Sequence, residues 1–156
     1  MREMTAKDAG PLFNLRPMEA ADAPFVLNSW LRRFRDAISV RLVTDATYYR
    51  IQHAVILKIL AMPNLHATVA VSTSDPNHIY AYCISEDLSA FVPDLVILHF
   101  CYTKGPLRRF GIASALVKEA IGEHKLVHFS HKTHLVKHLD KKNEWIFNPY
   151  YVFTML

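Results

Sequence analysis

Glycine is scarce in this chain, at four residues in 156, against roughly 7% in an average protein. That scarcity excludes collagen-like and Gly-rich low-complexity architectures, and it gives each glycine's position weight. Two of the four, Gly105 and Gly111, fall within one short segment. Cysteine is rarer still. Cys83 and Cys101 both sit inside apolar runs, which favours buried free thiols in a reducing compartment over a disulfide framework. No apolar run reaches the roughly 18–20 residues of a membrane span, because Lys58, Pro63 and similar residues interrupt them. The opening MREMTAKDAGPLFNLRP holds no apolar core of signal-peptide type, so a cytoplasmic location is the expectation.

What is present points to one folded domain over residues 1–156. Hydrophobic residues make up 51% of the chain, which excludes a disordered protein. A chain of this size buries about 68–70% of its unfolded surface and needs neither disulfide nor metal to fold. Eighteen Lys and Arg against fourteen Asp and Glu leave a net charge of +4, which permits an anionic ligand or partner without demanding one.

The periodicity changes along the chain. Residues 13–17 read as a short strand ended by Pro17. Asp22 is a plausible helix N-cap with Pro24 in the first turn, followed by Leu27, Trp30, Leu31 and Phe34 at helical spacing. A second helix should start at Thr44 or Asp45 and stop at Pro63, and Ile51, Val55, Ile56, Ile59 and Leu60 mark it as well buried. Residues 67–72 and 78–85 read as a hairpin around the Ser74–Asn77 turn. Residues 95–103 form a nearly unbroken apolar strand, the pattern of a sheet's centre. A helix over about 112–123, a strand over 125–130, a short helix over 134–142 and a closing strand over 145–154 complete the order β-α-α-β-β-β-α-β-α-β. This is α/β, or α+β, in character: a mixed sheet with helices on its faces.

The segment between the central strand and the next helix carries the chemistry. A turn with two glycines and two arginines opening a helix is an anion-binding arrangement, because free N–H groups and the helix dipole favour phosphate. Lys104, Arg108 and Arg109 add charge, and no Asp or Glu occurs from Leu95 through Lys118. The P-loop pattern G-x-x-x-x-G-K-[ST] is not matched. The dinucleotide fingerprint G-x-G-x-x-G is absent as well.

Arg108-x-x-Gly111-x-Ala113, after an apolar strand and before Ser-Ala-Leu-Val-Lys-Glu-Ala, resembles motif A of the GNAT acyltransferase superfamily. Arg16-Pro17 followed by Asp22 is similar to that superfamily's usual first strand and helix. The hairpin over 67–85 and the ending Asn148-Pro149-Tyr150-Tyr151 extend the likeness over most of the chain. The resemblance implies acetyl-CoA, or another acyl-CoA, bound where two parallel central strands splay apart. It implies that the pyrophosphate lies on the turn of Arg108, Arg109, Phe110, Gly111, Ile112, Ala113 and Ser114. The pantetheine arm would pair with backbone at Cys101, Tyr102 and Thr103, where an amide would polarise the thioester carbonyl. An amine would attack directly, leaving the enzyme only proton transfers to perform.

The acid and base depart from the family's pattern. Many members use a carboxylate on the strand before motif A, whereas residues 95–103 contain none. His99 is the titratable candidate there with a suitable pKa, and simple strand alternation puts it on one face with Cys101 and Thr103. The family's general-acid Tyr is missing from 134–140, so Tyr150, Tyr151, His138 or solvent would stand in. Ser130, beside the cleft, could contact the thioester or the substrate.

Five of nine histidines fall between 124 and 138. His134 and His138 lack the Glu of H-E-x-x-H, and His124, His128 and His131 straddle a strand, so a basic surface with Lys132, Lys137, Lys141 and Lys142 is expected and no metal site. That surface, with Tyr48, Tyr49, Trp145 and Tyr150 for stacking, raises a nucleic-acid-modifying or host-protein-targeting phage-type protein as the alternative. A GNAT-shaped CoA- or partner-binding module without catalysis is the third. The acceptor amine, small molecule or protein, stays open, as does a homodimer.

Overall fold

The computed structural model describes residues 10–37, 43–133 and 144–149. The expected helix over 134–142, with His134 and His138, lies outside them, as do Tyr150, Tyr151 and the rest of the closing strand. Among the described residues six strands form one sheet in the order of the chain: β1 (Phe13–Pro17), β2 (Leu65–Ser72), β3 (Ile79–Asp87), β4 (Leu95–Thr103), β5 (Leu126–Phe129) and β6 (Ile146–Phe147). The first four pair antiparallel, and β4–β5 and β5–β6 are parallel. The α/β reading with a mixed sheet therefore stands.

Helices α1 (Ala23–Ala37) and α2 (Asp45–Leu60) join β1 to β2, and α3 (Ile112–Ile121) joins β4 to β5. Trp30, Ile56, Val69, Tyr82 and Phe100 build one core with α1 and α2. Val96, Leu98, Ile112, Leu116 and Phe129 build the other with α3. Among the described residues no helix is long and apolar enough to cross a membrane.

Local chemistry sets the ends. Thr44 caps α2 by accepting the Thr47 N–H. Asp22 is not the N-cap of α1. A 3-10 turn over Ala20–Asp22 precedes that helix, and Asp22 accepts the N–H of Glu19 from the third position of a capping box. Its carboxylate also takes both Arg16 Nη atoms at 2.7 and 3.0 Å, which gives the spacing of Arg16 and Asp22 a structural reason. This charged, hydrogen-bonded pair is of the strong class. Helix α2 is less buried than its composition suggests: Tyr48, Val55, Ile56 and Ile59 face the core, while Ile51 and Leu57 are about half exposed.

Candidate functional site

Strand β4 is held on both sides for half its length only. Its parallel rungs with β5 run from Leu95 opposite Leu126 to Leu98 opposite Phe129. The Ser130 N–H then donates to Leu98 O at 3.1 Å. Past that bond β3 is, among the described residues, the one strand that β4 pairs with through residue 103, so the two parallel strands splay, as the family resemblance implied.

The open edge has a defined hydrogen-bonding character. The Lys104 N–H donates to Tyr80 O across the β3–β4 ladder at 3.0 Å. Antiparallel ladders alternate in direction, so the amides of Tyr102 and Phe100 also face β3, while those of Cys101 and Thr103 face the opening. The Thr103 hydroxyl is buried without a hydrogen-bond partner among the described residues. An extended chain with alternating amides could pair along this edge, and a polar atom is already desolvated there to meet it.

The opening leads to the start of α3. Gly111 caps that helix at φ +80°, a conformation in which a side chain is strained and glycine is not. Arg109 also has a positive φ, 71°. The first helical bond in this region is from Ala115 N–H to Gly111 O, leaving the amides of Ile112, Ala113 and Ser114 for an external acceptor. Arg108, Arg109 and Phe110 are exposed around them. Positive side chains and free amides converge on one helix end, which suits a pyrophosphate.

At the apex of the splay lies a buried polar chain. Glu86 Oε1 is 2.8 Å from His99 Nε2. His99 Nδ1 is 2.7 Å from Ser130 Oγ, and Ser130 Oγ is 2.7 Å from His131 Nδ1. These residues come from β3, β4 and the end of β5, and none is more than 6% exposed. Burial, with the charge of His99, holds His131 down at about 3, so it is a neutral ring near pH 7. It packs edge-on to Trp30 and Phe34. In the arrangement with protons on His99 Nε2 and His131 Nδ1, Nε2–H donates to Glu86, His99 Nδ1 accepts the Ser130 O–H, and Ser130 Oγ accepts from His131.

Simple alternation misplaces His99. The β3–β4 register steps from Ile84 opposite Phe100 to Ser85 opposite Leu98, leaving His99 as the extra residue of a β-bulge. The bulge inverts the strand's phase: Val96 and Leu98 pack on the α3 side, whereas Phe100 and Tyr102 pack on the α1–α2 side. His99, whose partner Ser130 adjoins His131 beneath α1, therefore does not share a face with Cys101, which packs on the α3 side. Glu86 was missed because the carboxylate was sought on β4 alone. Its signal was a charged residue within the apolar pattern of β3, whose neighbours are all buried up to Asp87.

Other candidates sit elsewhere. Cys83 and Cys101 are free thiols directly opposite one another in the β3–β4 register. Hydrogen bonding to Cys101, then burial, raises the Cys83 thiol. Tyr48 is not available for base stacking, being 4% exposed with its hydroxyl donating to Leu31 O. Trp145 packs partly into the α3 core. His124 bonds Asp87 and the Ile121 carbonyl, His128 approaches Asn148, and His131 bonds Ser130. Among the described residues no group of three His, Cys, Asp or Glu could hold a metal ion.

No family model and no curated protein matches the sequence. Solved structures do match the fold. A GCN5-related N-acetyltransferase from Ralstonia eutropha superposes with a TM-score of 0.64 at 18% identity, covering 86% of this chain and 92% of its own. A GNAT family acetyltransferase from Brucella melitensis in complex with acetyl-CoA superposes at 0.57 and 10% identity, covering 82% and 81%. A PaiA N-acetyltransferase from Thermoplasma acidophilum in complex with coenzyme A does so at 0.57 and 11%, covering 85% and 88%. The fold of this chain is that of the GNAT acetyltransferases.

Proposed function

We propose that this protein transfers an acetyl or other acyl group from acyl-CoA to an amine, by direct attack of the amine on the thioester. The observation that carries the reading is the splay of β4 from β5, whose open ladder edge leads to a helix N-terminus directly preceded by the exposed Arg108 and Arg109. The two solved relatives that hold acetyl-CoA or coenzyme A on this fold support the choice of co-substrate. The residues present suit such a ligand: an amide-bearing ligand chain would meet the Cys101 and Thr103 backbone, and the Thr103 hydroxyl is an unpartnered polar atom beside them. The diphosphate would be held by the Gly111–Ser114 amides with Arg108 and Arg109.

When bound, acyl-CoA supplies an activated thioester, and the protein's own groups orient it and move protons. The outward amide of Cys101 or Thr103 stabilises the developing oxyanion. His99, its Nε2 fixed on Glu86, is the base that takes the amine proton. Fixing one ring nitrogen on a buried carboxylate orients the ring and sets its tautomer. Tyr150 and Tyr151 remain the candidates for returning a proton to the CoA thiolate.

The test is thermal. Acetyl-CoA should raise the melting temperature, and Gly111→Arg or Arg108→Glu should abolish the shift. An amine panel scored by mass spectrometry for N-acetyl product then identifies the acceptor. No melting shift with any acyl-CoA sinks the co-substrate; a shift without product from any amine leaves a CoA-binding module.

A further inference from the structure

The base assigned above has a nucleophile already in contact with it. Ser130 Oγ lies 2.7 Å from His99 Nδ1, and His99 Nε2 lies 2.8 Å from Glu86. Serine, histidine and carboxylate in series are the arrangement that activates a hydroxyl, the base being oriented by the third group. We propose that Ser130 is an acyl-accepting nucleophile and that, when no amine is present, the protein hydrolyses acyl-CoA through an acyl-Ser130 ester. The inference rests on the acyl-CoA reading of the same cleft.

Three observations carry it. The first is polarity. His99 Nδ1 and His131 Nδ1 each lie 2.7 Å from Ser130 Oγ; with His131 protonated on Nδ1, that N–H fills one lone pair of Oγ and the hydroxyl proton points to His99. The second is position. Ser130 makes the last backbone bond of the β4–β5 pairing, to Leu98 O, and its side chain touches His99, the bulge residue where the open edge of β4 begins. The hydroxyl therefore sits where the strands part, next to the edge whose outward amides suit an oxyanion. The third is dryness. Glu86, His99, Ser130 and His131 are all nearly covered, and a proton relay in a low-dielectric setting is stronger than the same groups in water.

The step balances. Ser130 Oγ attacks the thioester carbonyl carbon, and a C–O bond forms as the hydroxyl proton passes to His99 Nδ1. The intermediate collapses with cleavage of the C–S bond, and CoA leaves as the thiol with that proton. Water, deprotonated by His99, then attacks the ester carbonyl. The C–O bond breaks, Ser130 recovers a proton, and the carboxylic acid is released. Glu86 keeps its contact with His99 Nε2 throughout and holds the ring in place.

Acetyl-CoA is incubated with the wild-type protein without amine. Release of CoA thiol is followed, and acid-quenched samples are analysed by intact mass and peptide mapping. The expected result is amine-independent CoA release at least about 100-fold faster than in Ser130→Ala, together with one acetyl group on the peptide containing Ser130. Ser130→Cys, which keeps the size of the side chain, should carry an acetyl adduct removable by neutral hydroxylamine. Release that is unchanged in Ser130→Ala overturns the proposal, as does the absence of an adduct from both wild type and Ser130→Cys. A parallel assay with amines separates the two readings: N-acetyl product without acyl-Ser130 sinks this inference alone, and acyl-Ser130 without N-acetyl product sinks amine transfer alone.

Discussion

The two halves of β4, Leu-Val-Ile-Leu and His-Phe-Cys-Tyr-Thr, belong to one strand and have opposite circumstances. Leu95 to Leu98 is hydrogen-bonded on both sides and almost fully buried, and Ile97 is completely so. Among the described residues Phe100 to Thr103 pairs with β3 alone, and the last three of these residues are only partly covered. One residue divides them, the bulged His99. A strand flanked by two partners has its backbone groups satisfied and contributes stability. A strand relieved of one partner keeps amides in reserve for a ligand. Stability and binding are thus assigned to successive segments of a single nine-residue element, and substitutions in the two segments should fail in different ways.

The largest expected effect is on rate. His99→Gln keeps a polar side chain at the bulge but removes the base, and should lower acyl transfer by about 10²–10⁴-fold while acetyl-CoA still shifts the melting temperature. Unchanged turnover eliminates His99 as the base. In the paired half, Ile97→Ala should instead cost about 2–5 kcal/mol of stability in denaturant unfolding, with turnover per folded molecule preserved.

The two edges of β4 can be separated by proline, which removes one N–H. Tyr102→Pro deletes an amide that faces β3 and should destabilise the fold in denaturant unfolding. Thr103→Pro deletes one that faces the opening, so it should weaken acetyl-CoA binding in calorimetry with a smaller loss of stability. Equal effects of the two on stability would refute the assignment of open and paired amides.

A pH dependence belongs to the apex where the halves meet. His131 is lowered to about 3 by burial, from an ordinary value near 6.5. The unfolded chain therefore binds more protons between those values, and stability rises with pH across that window. Cooling of the melting temperature should begin below about pH 6.5, and the limiting loss is on the order of 5 kcal/mol. His131→Phe should flatten this part of the profile. The smallest effect is reserved for the loop leading into β4: Phe91 is 75% exposed, and Phe91→Ser should change stability by less than about 0.5 kcal/mol.

Much of this was legible beforehand, for reasons particular residues make clear. The bounds of β4 follow from an apolar run closed by Lys104 and Gly105, and the start of α2 follows from Thr44 as a cap. The α3 turn was readable because Gly111 and the arginines are local signals of a helix end. The Arg16–Asp22 spacing was visible, but its cause was not, since the pair and the capping box exist only after β1 and the 3-10 turn are side by side. The site was read in part. His99 and Ser130 were singled out separately, whereas Glu86 joined them only through the pairing of β3 with β4. The bulge was not legible, because one His between apolar neighbours fits an alternating strand as well as a bulge, and the insertion shifts only the phase. Tyr48 was offered to solvent by its sequence neighbours and claimed by α1 in the fold.

The extra residue at His99 also acts as a parity counter. Deleting His99 itself would restore one-to-one pairing with β3 and leave Leu98, Phe100 and Tyr102 on their present faces. Deleting Cys101 instead would set Tyr102 directly after Phe100 and turn its ring toward α3, away from Phe25 and Tyr82. Such a chain should lose packing in both cores. A one-residue insertion just before Leu95 falls in a loop and should be absorbed there. Tolerance to changes in length is therefore set, within about ten residues of chain, by which side of the bulge the change falls on.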